Sequence, residues 1–209
     1  MGKLEQIAAA GDMVATHIFP HAGHIGKEQR GPLAGQRAAT LWLTGLSGAG
    51  KSTLAYALER RLLATGRLSC VLDGDNMRHH LNGDLGFSPR DRQENIRRSA
   101  VVARLMNDAG MMVICAFISP LRSDREMARQ IIGSDDFIEA YISTPCALCE
   151  ERDPKGLYRK ARAGLIPAFT GVSAPYEAPL APALTLDTST LSLEQACERL
   201  FQQLCPRFI

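Results

Sequence analysis

Thr40-Leu41-Trp42-Leu43-Thr44-Gly45-Leu46-Ser47-Gly48-Ala49-Gly50-Lys51-Ser52 is the stretch that decides the fold. A short apolar run meets a glycine-rich turn and then Lys-Ser. The amphipathic segment Thr53 to Thr65 follows. This is G-x-x-x-x-G-K-[ST] in the strand–loop–helix setting that the motif requires. Glycines there let successive backbone N–H groups close around phosphate oxygens, and the helix N-terminus adds positive dipole at the same point. Lys51 would reach the outer phosphates, and the Ser52 hydroxyl would ligate a magnesium ion. A loop that only turns a strand into a helix has no need of Lys-Ser at this place. The motif predicts an ATP-type site formed by Gly45, Leu46, Ser47, Gly48, Ala49, Gly50, Lys51, Ser52 and Thr53.

Working outward, 209 residues suffice for one α/β domain with an extension and a proper core. Lys and Arg number 24 against 22 Asp and Glu, a net charge of +2 that fits neither a nucleic-acid coat nor a membrane-seeking patch. The placement of charge is more informative. Arg90, Arg92, Arg97, Arg98 and Arg104 form one basic cluster; Arg152, Lys155, Arg159, Lys160 and Arg162 form another. Two local clusters in a near-neutral chain suit small polyanions better than a polynucleotide, although either could be a solvated helix face. The six cysteines have no disulfide-scaffold spacing; Cys70 and Cys115 sit in apolar runs as small core residues, and Cys146-x-x-Cys149 lacks a second pair at zinc spacing. Met1 to Ala10 lacks the long apolar core of a signal peptide, and the longest apolar run, Met111 to Ile118, is far short of a membrane span. These features predict a soluble, cytoplasmic protein.

Met1 to Arg37 shows no clear periodicity, and residues 1–36 read as a polar arm; His17, His21 and His24 lack the carboxylate or cysteine that would complete a metal site. Residues 37–209 read as the catalytic domain. Thr40 to Thr44 is the first strand, followed by a helix with Leu54, Leu58 and Leu62 on one stripe and Gly66 closing it. Leu68 to Leu72 reads as a second strand buried on both faces. It ends in Asp73-Gly74-Asp75-Asn76, where an open parallel sheet binds its ligands. Ser88-Pro89-Arg90-Asp91 starts a helix that runs to about Asp108 and stops at Gly110. Met111 to Ile118, Phe137 to Ile142 and Leu184 to Leu186 are further strands. Helices cover Arg122 to Ile132, Pro145 to Arg152 and the stretch after Ser192, and the four prolines between Ile166 and Pro182 make that segment irregular. Alternating strands and helices predict a five-stranded parallel sheet with helices on both faces, a three-layer α/β sandwich.

Asp73 and Asp75 place two carboxylates on one turn: one can orient magnesium, the other can accept a proton from an acceptor hydroxyl. The basic segment from Arg152 to Arg162 holds too few apolar residues for an ordinary core helix. It resembles the lid of small nucleotide kinases, spanning about 152–165, which brings cations over the triphosphate and excludes water. Arg152 then belongs to the ATP site.

Longer motifs narrow the family. Leu72-Asp73-Gly74-Asp75-Asn76-Met77-Arg78 resembles the L-D-G-D-N-x-R element of adenylylsulfate kinases. Asp84-Leu85-Gly86-Phe87-Ser88 followed by Asp91-Arg92-Gln93-Glu94-Asn95-Ile96-Arg97-Arg98 is similar to that family's D-L-G-F-S…D-R-x-E-N-x-R-R. Phe117-Ile118-Ser119-Pro120, Cys149 to Tyr158, Lys160-Ala161-Arg162, Phe169-Thr170-Gly171 and Pro175-Tyr176-Glu177 continue the match in order from about Gln36 to Pro182.

The resemblance implies a P-loop nucleotide-kinase fold. It also implies transfer of the γ-phosphate of ATP to the ribose 3′-hydroxyl of adenosine 5′-phosphosulfate (APS), with Mg2+ as cofactor and a homodimer as the assembly. It makes Asp75 the candidate base, with Asp73 and Ser52 at the metal and Lys51 at the transferring phosphate. Arg78, Arg92 and Asn95 match positions that hold the phosphosulfate and nucleotide. Phe87 and Phe169 match an aromatic pair that sandwiches adenine, where stacking contributes about 1–3 kcal/mol per base. Ile118 and Ser119 match contacts beside the substrate, and Lys155 matches a lid contact. Ser119 is also a candidate phosphoserine, but direct in-line transfer needs no phosphoenzyme. Ala183 and Pro154 depart from the common pattern, and the match is loose before Gln36. With the final helix closing the chain, a stand-alone kinase without a fused ATP sulfurylase domain is expected. Two other readings stand beside this one: another P-loop kinase, for instance of a sugar acid, and a catalytically silent nucleotide-binding module.

Overall fold

A computed structural model describes residues 19, 21 and 23–209. In chain order the elements are α1 (Lys27–Ala34), β1 (Thr40–Thr44), α2 (Lys51–Ala64), β2 (Ser69–Asp73), α3 (Gly74–His79), α4 (Pro89–Asp108) and β3 (Met112–Ala116). Then follow α5 (Arg122–Ile132), β4 (Phe137–Ile142), α6 (Cys146–Arg152), α7 (Leu157–Arg162), β5 (Leu184–Leu186) and α8 (Leu193–Leu204).

β1 is buried at every position because it lies in the middle of a five-stranded sheet of order β2-β3-β1-β4-β5. All pairings are parallel, so every connection crosses over through helices that cover both faces. Alternation along β1 then divides the core. Leu41 and Leu43 pack with Leu54, Leu58 and Leu62 of α2 and with Leu200 of α8. Trp42 points the other way, among Ile96 and Ala100 of α4 and Ala128 and Ile132 of α5. Its ring stacks on Phe117 with centroids 5.2 Å apart. The predicted three-layer sandwich follows from this one alternating strand.

The punctuation of the helices matches the sequence. Ser88 Oγ accepts the Asp91 N–H at 3.1 Å, with Pro89 in the first helical position. Ser192 and Gln195 form a reciprocal capping box at the start of α8.

Three expectations need correction. The second strand is not buried on both faces: β2 is the sheet's edge, Cys70 and Val71 are half-buried, and Leu68 is 47 % exposed. Apolar composition alone cannot tell an edge from a centre. Here the edge is protected by Glu59, whose carboxylate accepts the Val71 N–H at 3.0 Å. Cys70 is therefore not a core residue, whereas Cys115 is fully buried. The basic lid segment does reach the core, because Tyr158 and Ala161 of α7 pack into it while the charges face out. Finally, the stretch before Arg37 contains a regular helix, α1. The buried Gln36 side chain beyond it bonds the Leu68 carbonyl at 2.8 Å and the Gly110 carbonyl at 2.9 Å. His21 and His24 are exposed, and His17 lies outside the described residues.

Candidate active site

The glycine-rich loop between β1 and α2 is held by side chains that donate to its carbonyls, its own Lys51 among them. Lys51 Nζ donates to Leu46 at 2.7 Å and the Tyr158 hydroxyl to Ser47 at 3.0 Å. Arg152 Nη1 donates to Gly48 at 3.5 Å. Thr188 and Thr144 both donate to Ala49, at 3.0 and 3.2 Å. In a trans peptide the N–H points opposite to the C=O, so engaging the carbonyls outward turns N–H groups toward the concave side. Two glycines are needed for the close approach. At Gly45 (φ +151°) a Cβ would lie 2.4 Å from the Ile142 carbonyl oxygen; at Gly48 (φ +75°) it would lie 2.8 Å from that of Cys149. Thr53, the third residue of α2, is by contrast exposed. Lys51 is 8 % exposed, and burial lowers its pKa to about 8 despite the opposing carboxylates of Asp73 and Asp75. An anion brought to this ammonium relieves that burden.

At the end of β2, Asp73 is buried and caps α3, accepting the Asp75 and Asn76 N–H groups at 3.0 and 3.3 Å. Its other oxygen accepts the Ser52 hydroxyl at 2.6 Å, so the first turn of α2 and the end of β2 meet at two hard oxygen donors. Asp75, on the first turn of α3, is exposed and ion-paired to Lys155 at the lid's near end. Lys155 and the candidate base are thus in contact.

Arg92 organises the opposite wall. Its guanidinium donates to the Phe87 carbonyl at 2.9 Å, to Thr170 Oγ1 at 2.9 Å and to the Ala168 carbonyl at 2.8 Å. Arg78 donates to the Gly86 carbonyl at 2.7 Å and lies over the Phe87 ring, 4.5 Å from its centroid. Burial, and then the like charge of Arg92, push the Arg78 guanidinium down. Asn95 is buried, its side-chain oxygen accepting from Asn82 at 2.9 Å. Arg92 brings together the two chain segments that carry the predicted aromatic pair, but the rings are not alike. Phe87 is 67 % exposed, whereas Phe169 is buried against Tyr158, with centroids 5.0 Å apart. Beside the phosphate loop, a cleft of about 540 Å³ is lined by Leu46, Cys146 and the run from Gly171 to Tyr176.

Ser119 is the site residue with the most unusual backbone, at φ +39°. It is 2 % exposed, and its hydroxyl accepts the Trp42 indole N–H at 3.1 Å. Its neighbour Ile118 gives its carbonyl to the Thr44 hydroxyl at 2.8 Å.

The structure also shows what sequence reasoning missed. Trp42, Tyr158, Thr144 and Thr188 support the site residues; from sequence Trp42 stood only within an apolar run and Tyr158 only at the end of a motif match. Much of the basic clustering is spent internally. Arg98 pairs with Asp84 and Glu94, Arg97 with Glu94, Arg104 with Asp108 and Arg162 with Glu150. Only Arg92 of the first cluster is tied into the site wall. For Arg97, Arg98 and Arg104 the available signal was an acidic residue at helical spacing, Glu94 or Asp108.

Comparison with known proteins identifies the family. An adenylyl-sulfate kinase of Bacteroides thetaiotaomicron is 54 % identical over 193 residues, covering 92 % of this chain and 96 % of that protein. The solved structure of an APS kinase of Mycobacterium tuberculosis in complex with AMPPNP and APS is 48 % identical with a TM-score of 0.78, covering 81 % of this chain and 98 % of that one. A hexameric APS kinase from Thiobacillus denitrificans is 33 % identical with a TM-score of 0.63, covering 85 % of this chain and 30 % of that one. Residues 37–187, from the strand before the phosphate loop to the strand after the lid, match the adenylylsulphate kinase family, and the chain belongs to it.

Proposed function

We propose that the protein transfers the γ-phosphate of ATP to the ribose 3′-hydroxyl of APS, giving ADP and 3′-phosphoadenosine 5′-phosphosulfate. The observation that carries this is membership of an ATP-using kinase family across the whole core, with each group the transfer needs present in the chain. In this reading residues 37–209 form the kinase domain, 1–36 an arm and about 152–165 the lid.

The loop from Gly45 to Ser52 and Lys51 hold the triphosphate, with Thr53 and Arg152 completing that side. Ser52 and Asp73 fit Mg2+: they offer a hydroxyl and a carboxylate oxygen 2.6 Å apart, and this ion takes few protein ligands beside phosphates and water. When bound, it neutralises charge on the β- and γ-phosphates. Asp75 accepts the proton of the 3′-hydroxyl as that oxygen attacks the γ-phosphorus in line. The new O–P bond forms as the bond to ADP breaks, and ADP departs. Lys155, released from Asp75, moves to the bound anions and helps exclude water. Arg78, Arg92 and Asn95 bind the phosphosulfate and nucleotide, and Phe87 and Phe169 take the adenine. Ile118 and Ser119 line the acceptor, with Ser119 as no more than a side phosphorylation site. We further propose a cytoplasmic homodimer; no helix among the described residues is long and apolar enough to cross a membrane.

A coupled ADP-release assay with APS beside a panel of other hydroxyl acceptors, sugar acids included, tests the reading. Turnover should require APS. Equal turnover with a sugar acid would shift it to another kinase class; silence with every acceptor, despite measured binding of both nucleotides, would leave a binding module.

A further inference from the structure

Arg125 is a charged side chain buried beneath the acceptor wall, and the reaction as described makes no use of it. It sits in the first turns of α5 at 3 % exposure. Each nitrogen of its planar guanidinium donates a hydrogen bond. Nε donates to Glu139 Oε1, Nη1 to the Ser119 carbonyl and Nη2 to the Glu177 carbonyl, each at 2.7 Å. Glu139, on β4, is itself buried and balances the charge.

Burying an ion pair confers little net stability compared with apolar residues of similar size, so stability alone is a weak reason for it. What the fork does supply is geometry, because its donors are fixed in one plane. Two of them end on backbone carbonyls of segments far apart in sequence. One is Ser119, held at φ +39°; the other is Glu177, next to Tyr176, which lines the cleft. The same junction is laced from β1: the Thr44 hydroxyl meets the Ser119 carbonyl at 3.3 Å and the Tyr176 hydroxyl at 2.9 Å. Tyr176 stacks on Tyr141 with centroids 5.8 Å apart, and Glu177 returns its carboxylate to the Arg122 N–H at 2.8 Å.

We propose that Arg125 is a positioning residue for the acceptor half of the site, clamping the Ser119 turn and the Tyr176–Glu177 segment in register while Glu139 holds the guanidinium in plane. The inference rests on Ser119 lining the acceptor. Arg125 itself bonds to neither the phosphate loop nor Lys51, so its loss acts first on the acceptor side.

The test compares Arg125→Lys with Glu139→Gln in the full chain. Lysine keeps a charge opposite Glu139 but, as a single ammonium, cannot span both carbonyls in the plane of the fork. Glutamine keeps an acceptor for Nε and leaves the fork in place. Both variants should melt lower than the wild type. The clamp predicts that only Arg125→Lys raises KM for APS, by tenfold or more, with KM for ATP within twofold. Emission of Trp42, the only tryptophan and the donor to Ser119, should shift in Arg125→Lys and not in Glu139→Gln. The proposal is overturned if KM for APS tracks the melting temperature in both variants, or if KM for ATP rises in parallel. Failure of the functional reading looks different: the wild type itself would then not turn over APS.

Discussion

Ser119→Ala removes a single hydroxyl whose surroundings allow its cost to be worked out. The hydroxyl is the acceptor for the Trp42 indole N–H, and both groups are buried. Alanine leaves that donor unpaired, at about 1–3 kcal/mol. In a chain of this size each kcal/mol lowers Tm by about 2–4 °C, so a fall of about 2–12 °C is expected. Ser119→Gly loses the same hydroxyl but relieves a backbone at φ +39°, worth on the order of 1 kcal/mol. It should melt no lower than the alanine variant. Activity is predicted to separate from stability. Direct transfer never places the phosphoryl group on Ser119, so kcat should stay within about tenfold of the wild type, whereas loss of an obligatory nucleophile costs on the order of 10⁴-fold or more. Calorimetry gives the first quantity and ADP release the second, with Trp42 emission reporting that the fold is intact. A folded Ser119→Ala enzyme with almost no turnover would refute the reasoning.

Lys51 should make ATP binding depend on pH. Burial lowers its pKa to about 8 in the free protein, and phosphate anions favour the charged form, so binding takes up a proton near and above pH 8. Affinity should be flat below that pH and fall by up to tenfold per unit above it. Calorimetry in buffers of different ionisation enthalpy reads the uptake, and Lys51→Met should abolish it. Lys155→Met removes an exposed partner of Asp75, so Tm should move by less than about 2 °C while KM for APS rises in steady-state assays. Leu58→Ala empties a fully buried position between α2 and the sheet and should cost about 2–5 kcal/mol in urea unfolding, with kcat of the folded enzyme unchanged.

The fold was legible because one strand and its loop carry it. Once Thr40 to Thr44 is a buried parallel strand feeding a phosphate loop, alternation assigns Leu41, Leu43 and Trp42 to their layers. The caps at Ser88 and Ser192 then fix two helix starts. What local composition could not carry was position within the sheet. Leu68 to Leu72 reads as apolar in any strand, and only the pairing partners make β2 an edge. Tyr158 shows the converse, since it docks a helix half of whose residues are charged, with only Leu157 and Ala161 beside it on the apolar side. At the site, groups that meet ligands are visible as motif residues, while groups that hold them are not. Arg125 resembles any helix arginine until β4 places Glu139 opposite it, a contact 14 residues away in sequence. Arg97, Arg98 and Arg104, which looked available for a polyanion, are neutralised by neighbours one helical turn away or across the preceding loop.

Asp75 carries the central claim, that a carboxylate on the first turn of α3 takes the proton of a ribose 3′-hydroxyl facing the γ-phosphate. The direct measurement is product formation from saturating ATP and APS by the wild type and by Asp75→Asn, with ADP and the phosphate position both determined and ATP affinity measured alongside. The wild type should give ADP and 3′-phosphorylated product in equal amounts. Asp75→Asn should be slower by about 10²–10⁴-fold at unchanged ATP affinity. Turnover by Asp75→Asn within threefold of the wild type, or phosphate found at any other position, would contradict the account.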